Sequence, residues 1–259
     1  MSENKRHRMV DFWSERAKRF GPDMRANTND IWLREVEIKY VHDLIAAHPF
    51  RQILDFGCAN GYSTLRLAQA YPERQFEGID INPDMIAVAM SCNAELGLPN
   101  LRFAERNVLA EAPRDGFDFI YAIRVFQNME SEELQKQAFD RLADTLEPGG
   151  HLLTIESYAQ GYQELNDDRK RLDLSPLPIH EHLTLLTDAF DRHAAARLQP
   201  VGRVSLSSTY YLVTRLLYSA MAKQAGEPID YDHPIHRIGA LLPQIGEYGP
   251  QRACLYRKI

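Results

Sequence analysis

A short apolar run that passes into a turn of small residues constrains the fold of this chain more than any other feature. The apolar run and the turn together occupy residues 53–61, and the small residues of the turn are Gly57, Ala59 and Gly61. An apolar pattern at helical spacing follows over residues 65–71. This order predicts a strand, a tight turn and a helix. Small residues let the backbone approach a ligand closely, and the free N–H groups at a helix start favour a polar or anionic partner.

An acidic residue at the end of the next apolar run indicates the kind of ligand. Asp80 follows the turn at a spacing of about 20 residues, where a carboxylate suits two adjacent ribose hydroxyls. A dinucleotide site requires the pattern G-x-G-x-x-G, but Ala59 and Tyr62 stand at its second and third glycine positions. The residues therefore predict a nucleoside cofactor and disfavour a dehydrogenase.

Length and charge limit the partners of the chain. At 259 residues it is long enough for one sizeable domain with elaborations, and its formal net charge is −6. We expect no nucleic-acid partner, because no overall positive field attracts a polyphosphate backbone. The N-terminus lacks an apolar segment and no run approaches the length of a membrane span, which predicts a cytoplasmic protein without a membrane partner. Cys58, Cys92 and Cys254 are too far apart for a CxxC redox or zinc arrangement.

The turn belongs to a longer set of motifs. Asp55 stands two residues before the first glycine, the pair Asn107–Val108 follows a third apolar run, and Glu147-Pro148-Gly149-Gly150 precedes a fifth. Together with the acidic residue after the second run, this set resembles motif I and its neighbours in the class I S-adenosylmethionine-dependent methyltransferases of small-molecule type. Ala59 replaces the middle glycine of the family's G-x-G-x-G. The resemblance spans about residues 10–157.

The family resemblance and the alternating pattern of the chain agree on an α/β fold. The resemblance implies a doubly wound, mostly parallel seven-stranded sheet of the Rossmann-like methyltransferase type. The predicted strands are 52–57, 76–81, 101–104, 117–124, 150–156, 201–207 and 252–258. The predicted helices are 10–22, one from Thr28 or Asn29 to about Pro49, 61–71, 83–96, 131–146, 181–195 and 209–224, with a loop or short helix over 158–180. The predicted regions are an N-terminal helical lid (1–48), a cofactor-binding core (49–157) and an inserted and C-terminal acceptor-binding region (158–259).

The resemblance also implies the cofactor, S-adenosylmethionine, with S-adenosylhomocysteine as its product. In such enzymes the glycine turn faces the methionine part, the residue matching Asp80 holds the ribose, and its neighbour Ile81 packs on adenine. We expect the helix 10–22 to cover the methionine end. The full predicted cofactor set is Trp13, Arg16, Asp55, Gly57, Cys58, Ala59, Gly61, Asp80, Ile81, Asn107, Val108 and Arg124.

The residues at the end of the fourth predicted strand indicate which kind of acceptor is methylated. Residues 122–128 contain neither the D/N-P-P-Y/F motif of enzymes that methylate nucleobase or amide nitrogens nor the Pro-Cys nucleophile of cytosine C5 enzymes. With the negative net charge, this favours a small-molecule acceptor, which we expect to be methylated at oxygen (hydroxyl, carboxylate or phosphate-type) in a biosynthetic or tailoring pathway. An acceptor that is already ionised would need no general base.

Four residues are candidates for contact with the acceptor. Arg124 ends an apolar strand, where a guanidinium needs an anionic partner; that partner is the cofactor's carboxylate, an anionic acceptor or Glu156. His180, Tyr211 and His233 are the remaining candidates. Each has an alternative interpretation without a functional role: His180 as a surface residue, Tyr211 as a core residue and His233 as a loop residue. No metal site is predicted, since His180 and His182 are two residues apart with no third ligand nearby. Glu156 is expected either near the active crevice or as a hydrogen-bond partner of the 57–61 turn.

Several alternatives stay open at this point. They are N-methylation of a small metabolite, methylation of RNA or protein, and a cofactor-binding partner subunit without activity. The oligomeric state is open as well. If the apolar face of the predicted helix 209–224 is not buried in the core, that face could form the interface of a homodimer. The sequence does not identify the acceptor.

Overall fold

A seven-stranded sheet forms the centre of the molecule. The computed structural model describes the backbone of residues 2–259 and the side chains from residue 7 onward. The strand order is β3-β2-β1-β4-β5-β7-β6. Strands β1 to β5 run parallel, whereas β7 is antiparallel to both of its neighbours. The strands are β1 (Gln52–Phe56), β2 (Gln75–Asp80), β3 (Leu101–Glu105), β4 (Phe117–Ile123), β5 (Leu146–Ser157), β6 (Gln199–Ser205) and β7 (Gln251–Arg257). The predicted fold class is confirmed.

Helices cover both faces of this sheet. Ile45, Leu67 and Ile86 pack on one face, and Leu142 and Phe190 pack on the other. Burial on both faces explains why the central strands are nearly continuous apolar runs. The helices are α1 (Ser2–Phe20), α2 (Ile31–Ala47), α3 (Tyr62–Ala70), α4 (Pro83–Leu96), α5 (Glu132–Thr145), α6 (Ala159–Arg171), α7 (Asp188–Arg197), α8 (Ser208–Tyr211), α9 (Tyr218–Ala225) and α10 (Pro234–Leu241), and the π-helical segment Leu212–Leu217 joins α8 to α9.

Side-chain caps set the starts of the helices that flank the site. The start of α2 is predicted at Thr28 or Asn29, but its cap is Asp30, whose carboxylate accepts a hydrogen bond from the Leu33 N–H at 3.2 Å. The Thr28 hydroxyl instead accepts from the Asp30 N–H at 3.1 Å. Ser131 caps α5 as its sequence position predicts.

The structure differs most from the predicted elements after β5. The polar segment 158–180 contains helix α6, which extends over 13 residues. The helix predicted at 181–195 is observed as α7 and begins later. The reason is that Leu186 pairs with Tyr158 in a parallel bridge and Thr187 caps the helix. A further helix, α10, lies between α9 and β7, where no helix is among the predicted elements.

The strand order places an open crevice above β1. The order reverses between β1 and β4, so the loops that follow these two strands diverge to opposite sides. Ligands of doubly wound sheets bind in such a crevice at the carboxyl ends of the strands. Among residues 2–259, no helix is both long and apolar enough to cross a lipid bilayer.

Candidate active site

A cavity of about 440 Å³ lies at the carboxyl ends of β1, β2, β3 and β4. We call it the turn cavity, because the turn after β1 forms part of its wall. Most of the predicted cofactor residues line it, namely Trp13, Gly57, Ala59, Asp80, Ile81, Asn107, Val108 and Arg124. Tertiary structure therefore brings side chains from α1 and from the tips of four strands to one place. Ligand pockets of 300–1,000 Å³ are typical for small molecules.

The turn after β1 is shaped by the close approach of the loop after β4. Gly57 has φ +74°, and a Cβ atom there would lie 2.4 Å from a methyl group of Val125. Ala59 has φ +48°, a left-handed conformation that is uncommon for a residue with a side chain. Strained backbone of this kind clusters at functional sites.

Asp80 is held rigidly beside this turn. One carboxylate oxygen accepts a hydrogen bond from the Ala59 N–H at 2.9 Å, and the other accepts from the Asn82 N–H at 2.8 Å. Desolvation by burial raises the pKa of Asp80, and these backbone donors oppose the rise. Each oxygen keeps further lone pairs, so the carboxylate can still accept hydrogen bonds from a pair of ligand hydroxyls.

Asp55, Cys58 and Gly61 belong to the predicted cofactor set, but they support the turn region and do not line the turn cavity. Asp55 accepts a hydrogen bond from the Thr64 hydroxyl at 2.6 Å, and burial raises its pKa to about 6. Cys58 is buried, and burial raises the pKa of its thiol. A Cβ atom on Gly61 would lie 2.7 Å from the ring of Phe103 and 2.9 Å from the Cβ of Ala89, so this glycine permits the close approach of β3 and α4 to the turn.

Helix α1 lies across the opening of the turn cavity. The amide of Asn82 donates hydrogen bonds to the Val10 carbonyl and the Ser14 hydroxyl, each at 3.0 Å, and thereby ties α1 to the loop after β2. Arg16 donates to the Ala26 carbonyl at 2.9 Å. Trp13 lines the cavity directly, whereas Arg16 lines the neighbouring one.

That second cavity measures about 350 Å³, and we call it the arginine cavity. It adjoins the turn cavity, because five residues line both: Trp13, Asn27, Arg34, Arg124 and Asn128. Of the predicted acceptor residues, Arg124, His180 and Tyr211 line the arginine cavity. His233 lines neither cavity; it caps α10 and stacks on the ring of Tyr218 at 4.6 Å.

Arg124 stands at the boundary between the two cavities. Its backbone has φ +58°, and its guanidinium pairs with Glu37 at 3.0 Å. Glu37 is fully buried and also pairs with Arg34 at 3.3 Å. The anionic partner within the chain is therefore Glu37 of α2 and not Glu156. The Nε atom of Arg124 is buried without a hydrogen-bond partner in the described part of the chain.

Glu156 holds the loop after β4 instead of the turn after β1. Its carboxylate accepts hydrogen bonds from the N–H groups of Val125, Phe126 and Gln127 at 2.7, 2.9 and 3.1 Å. The predicted hydrogen bond to the 57–61 turn is wrong, because the side chain reaches the neighbouring strand's loop first. Burial raises the pKa of Glu156 to about 8, against the opposing effect of the three donors. The side chain fixes the backbone on which Arg124 and Asn128 stand.

Sequence reasoning missed several residues that line the cavities. Asn27, Arg34 and Arg215 are the main ones, and Asp30 and Glu37 supply the balancing carboxylates. The sequence signal for this group was the spacing of Arg34 and Glu37, which lie one helical turn apart in α2. Such a pair is ordinarily exposed to solvent on a helix surface. Their burial becomes visible only once α2 is packed against the sheet. Across the residues whose side chains are described, no group of three or more metal-binding side chains occurs.

Comparison with known proteins gives a consistent result. Residues 53–150 match a family model described as a methyltransferase domain. The chain is 35% identical over 131 residues to trans-aconitate 2-methyltransferase of Afipia carboxidovorans, which covers 47% of this chain and 48% of that protein. It is 28% identical over 122 residues to malonyl-[acyl-carrier protein] O-methyltransferase 2 of Ilyobacter polytropus, which covers 47% of this chain and 45% of that protein. The chain thus spans about half the length of the curated relatives it matches.

A similar fold is found among solved structures. The N-methyltransferase NodS of Bradyrhizobium japonicum WM9, in complex with S-adenosylhomocysteine, superposes with a TM-score of 0.59 at 17% identity. The alignment covers 95% of this chain and 98% of that one. At this identity the likeness shows the fold alone.

Proposed function

The chain carries a class I S-adenosylmethionine-dependent methyltransferase domain, and on that premise we propose that the protein transfers a methyl group to a carboxylate oxygen of a small molecule. The observation that carries this proposal is the arginine cavity, which shares five lining residues with the turn cavity and holds an excess of positive charge. A biosynthetic or tailoring step is the setting in which such an ester would be made.

The turn cavity suits S-adenosylmethionine. Asp80 would hold the ribose hydroxyls, and Ile81 and Val108 supply apolar surface for the adenine ring. The methionine part carries an ammonium group, which needs acceptors. Two are available at the boundary between the cavities, because the buried amide oxygens of Asn27 and Asn128 have no hydrogen-bond partner among the described residues. These unsatisfied oxygens are the structural reason to place the methionine end there.

The charge in the arginine cavity favours an anionic acceptor. The guanidinium groups that line it belong to Arg16, Arg34, Arg124 and Arg215, and the carboxylates that pair with them belong to Asp30 and Glu37. Four positive and two negative groups leave two positive charges. Arginine pairs with a carboxylate through two parallel hydrogen bonds, so this excess of positive charge favours an acceptor that carries a carboxylate. Both relatives named above are called after carboxylic acids, and one is named an O-methyltransferase.

An ionised carboxylate makes a general base unnecessary. When bound, the cofactor supplies a methyl group on a sulfonium sulfur; its C–S bond breaks as the C–O bond forms, the electron pair stays on sulfur, and no proton moves. Arg34 and Arg124 would orient the acceptor oxygen, while Trp13 and the neighbouring rings keep water out. Positioning and exclusion of solvent can lower such a barrier by about 7–11 kcal/mol. The site therefore works by geometry.

A methyl ester differs from an ether or a methylamine in that mild alkali releases its methyl group as methanol. We would incubate the protein with methyl-labelled S-adenosylmethionine and a small-molecule extract of the cells that produce it. The expected result is a labelled product whose label becomes volatile on mild alkaline treatment. Label that resists alkali would rule out a carboxylate oxygen, and transfer to the macromolecular fraction would rule out a small acceptor.

The matched variants are Asp80→Ala and Asp84→Ala. Asp80 lines the turn cavity, whereas Asp84 lies partly exposed near Lys18 at the start of α4. Loss of a charged hydrogen-bond acceptor costs about 1.5–3 kcal/mol, so Asp80→Ala should weaken binding of S-adenosylhomocysteine about 10- to 100-fold in calorimetry. Asp84→Ala should bind as the wild type does. Equal affinities for all three proteins would remove Asp80 from the cofactor site.

A further inference from the structure

Arg215 is the buried arginine of the arginine cavity with the most unusual backbone setting. It lies in the π-helical segment Leu212–Leu217, which interrupts the helix made of α8 and α9. Single π-helical turns within α-helices occur frequently at functional sites. Arg215 is 7% exposed and lines the arginine cavity. Burial of a charged guanidinium is costly unless ion-pair and hydrogen-bond partners compensate it.

Residues of the chain accept hydrogen bonds from only some of the donors of this guanidinium. Its Nη2 donates to the carboxylate of Asp30, but its Nη1 is buried and has no hydrogen-bond partner within the residues described. Aromatic rings surround the group: its central carbon lies 5.1 Å from the ring centre of Tyr231, 5.5 Å from that of Tyr211 and 5.9 Å from that of Tyr210. These rings form no hydrogen bond with Nη1, so its N–H groups are left for a ligand.

Arg215 also lies in a different part of the site from the other buried arginines. Arg34 and Arg124 line both cavities and therefore stand where the methyl group arrives. Arg215 lines the arginine cavity alone. An oxygen that accepts the methyl group belongs at the boundary, and so a group bound by Arg215 is a second group of the same acceptor.

The walls and the size of the arginine cavity restrict the shape of that acceptor. Aromatic and imidazole rings contribute much of the lining, among them Trp13, Tyr162, His180, His182, Tyr211 and Tyr231. Rings of this kind pack best against flat, polarisable ligands. At about 350 Å³ the arginine cavity lies within the range of small-molecule pockets, and a benzene ring that bears two carboxylates is a flat ligand of that class.

We propose that the acceptor is an aromatic dicarboxylate whose second carboxylate is bound by Arg215. This inference rests on the proposed function, since it specifies the acceptor of that same reaction. The first carboxylate lies at Arg34 and Arg124 and takes the methyl group. The second is held away from the boundary, so the enzyme transfers one methyl group only and releases the monoester.

The test is calorimetry on the protein saturated with S-adenosylhomocysteine, titrated with isophthalate, benzoate and the saturated cyclohexane analogue of isophthalate. A second charge-assisted pair with a guanidinium predicts that isophthalate binds about 10- to 100-fold more tightly than benzoate. The rings predict that it also binds more tightly than the cyclohexane analogue. Equal affinity for benzoate and isophthalate would overturn the role of Arg215, and equal affinity for the two dicarboxylates would overturn the aromatic acceptor.

A paired substitution isolates Arg215 without leaving a buried charge behind. The variant Asp30→Asn with Arg215→Gln removes both members of the ion pair, and asparagine still caps a helix. It should lose the preference for isophthalate over benzoate. Its unfolding transition and its affinity for S-adenosylhomocysteine report whether it is folded. The variant Arg215→Lys keeps the charge without the planar fork and should retain part of the preference.

The outcome is distinguishable from failure of the proposed function. If the extract yields an alkali-labile label but isophthalate has no advantage over benzoate, the carboxylate reaction stands and the aromatic dicarboxylate is wrong. If the protein does not bind S-adenosylhomocysteine, the proposed function itself fails. A product carrying two transferred methyl groups would contradict the anchoring of the second carboxylate.

Discussion

Glu37 occupies a central position in the site although no ligand is expected to touch it. It is fully buried in α2 and accepts hydrogen bonds from Arg124 and from the amide of Gln251, while Arg34 pairs with it one turn away. The carboxylate thus joins α2 to the ends of β4 and β7. A buried charge with several donors costs little as long as all of its partners remain.

Replacing Glu37 by glutamine should therefore strongly destabilise the fold. The substitution leaves the guanidinium groups of Arg34 and Arg124 buried without their counter-charge, and breaking such a pair costs about 3–5 kcal/mol. Chemical denaturation measures the free energy of unfolding. The control is Glu35→Gln on the same helix, whose partner Arg66 is at the surface, and it should cost less than about 1 kcal/mol. Similar losses in both variants would show that the buried pairing is unimportant.

Glu156 gives the stability of the protein a dependence on pH. Burial raises its pKa from the ordinary 4.5 to about 8. A raised pKa means that the folded protein keeps a proton that the unfolded chain releases. The stabilisation from this proton is complete below the unfolded pKa and is lost as the pH rises through the folded pKa.

The expected difference lies between about pH 5 and pH 8. Across this window the free energy of unfolding of the wild type should fall as the pH rises, relative to that of the variant Glu156→Gln, which cannot titrate there. Urea denaturation of both proteins at several pH values measures this difference. Parallel curves would mean that the folded and unfolded pKa values of Glu156 are equal.

At the scale of elements, α1 and the loops after the strands make different contributions to the site. The strand tips supply Asp80, Asn107 and Arg124 on a rigid sheet, whereas α1 closes the cavity from above. Helix α1 packs on α4 and on the turn Met24–Ala26 through Ala17, Ala26 and Met85. This apolar cluster and the hydrogen bonds from Asn82 and Arg16 together hold α1 over the turn cavity.

Trp13→Ala should weaken binding of S-adenosylhomocysteine at least 10-fold, because the indole lines both cavities. Phe20→Ala is the matched control: it removes an aromatic ring of the same helix and the same apolar cluster that lines neither cavity. We expect the two variants to lose comparable stability and to differ in calorimetric affinity. A common decrease in affinity would show that α1 acts only through its packing.

At the scale of the whole molecule, the two adjoining cavities couple ligand binding to stability. The walls come from α1, α2, α4, α5, α6, α8, the π-helical segment and strand ends of the central sheet, so ligands contact elements from nearly the full length of the chain. A ligand that binds only the folded state stabilises it by mass action.

S-adenosylhomocysteine at 100 times its dissociation constant should raise the free energy of unfolding by about 2.7 kcal/mol. For a chain of this size that corresponds to an increase in Tm of about 5–10 °C in differential scanning calorimetry. Asp80→Ala at the same ligand concentration should show a much smaller increase. An unchanged Tm in the wild type would argue against a cofactor site in the turn cavity.

The fold was predictable because its signals are local. Strand β1, its turn and α3 are encoded within about twenty residues, and apolar runs with helical stretches between them dictate a parallel sheet. The predicted family domain is confirmed over residues 53–150, as is the fold class. Errors concentrate after residue 157, where polar segments carry no periodic signal and tertiary contacts such as the bridge of Leu186 to Tyr158 decide where helices begin.

The amino-acid sequence by itself determined the sheet, the position of the turn and the acidic residue beside it, since each depends on spacing along the chain. Only the tertiary structure decided which charges meet. Glu37 pairs with Arg124, and Asp30 pairs with Arg215, across 87 and 185 positions of sequence. Such pairs have no signature in the sequence, because a charged residue on a helix is ordinarily solvated and becomes a buried partner only when another element packs on it.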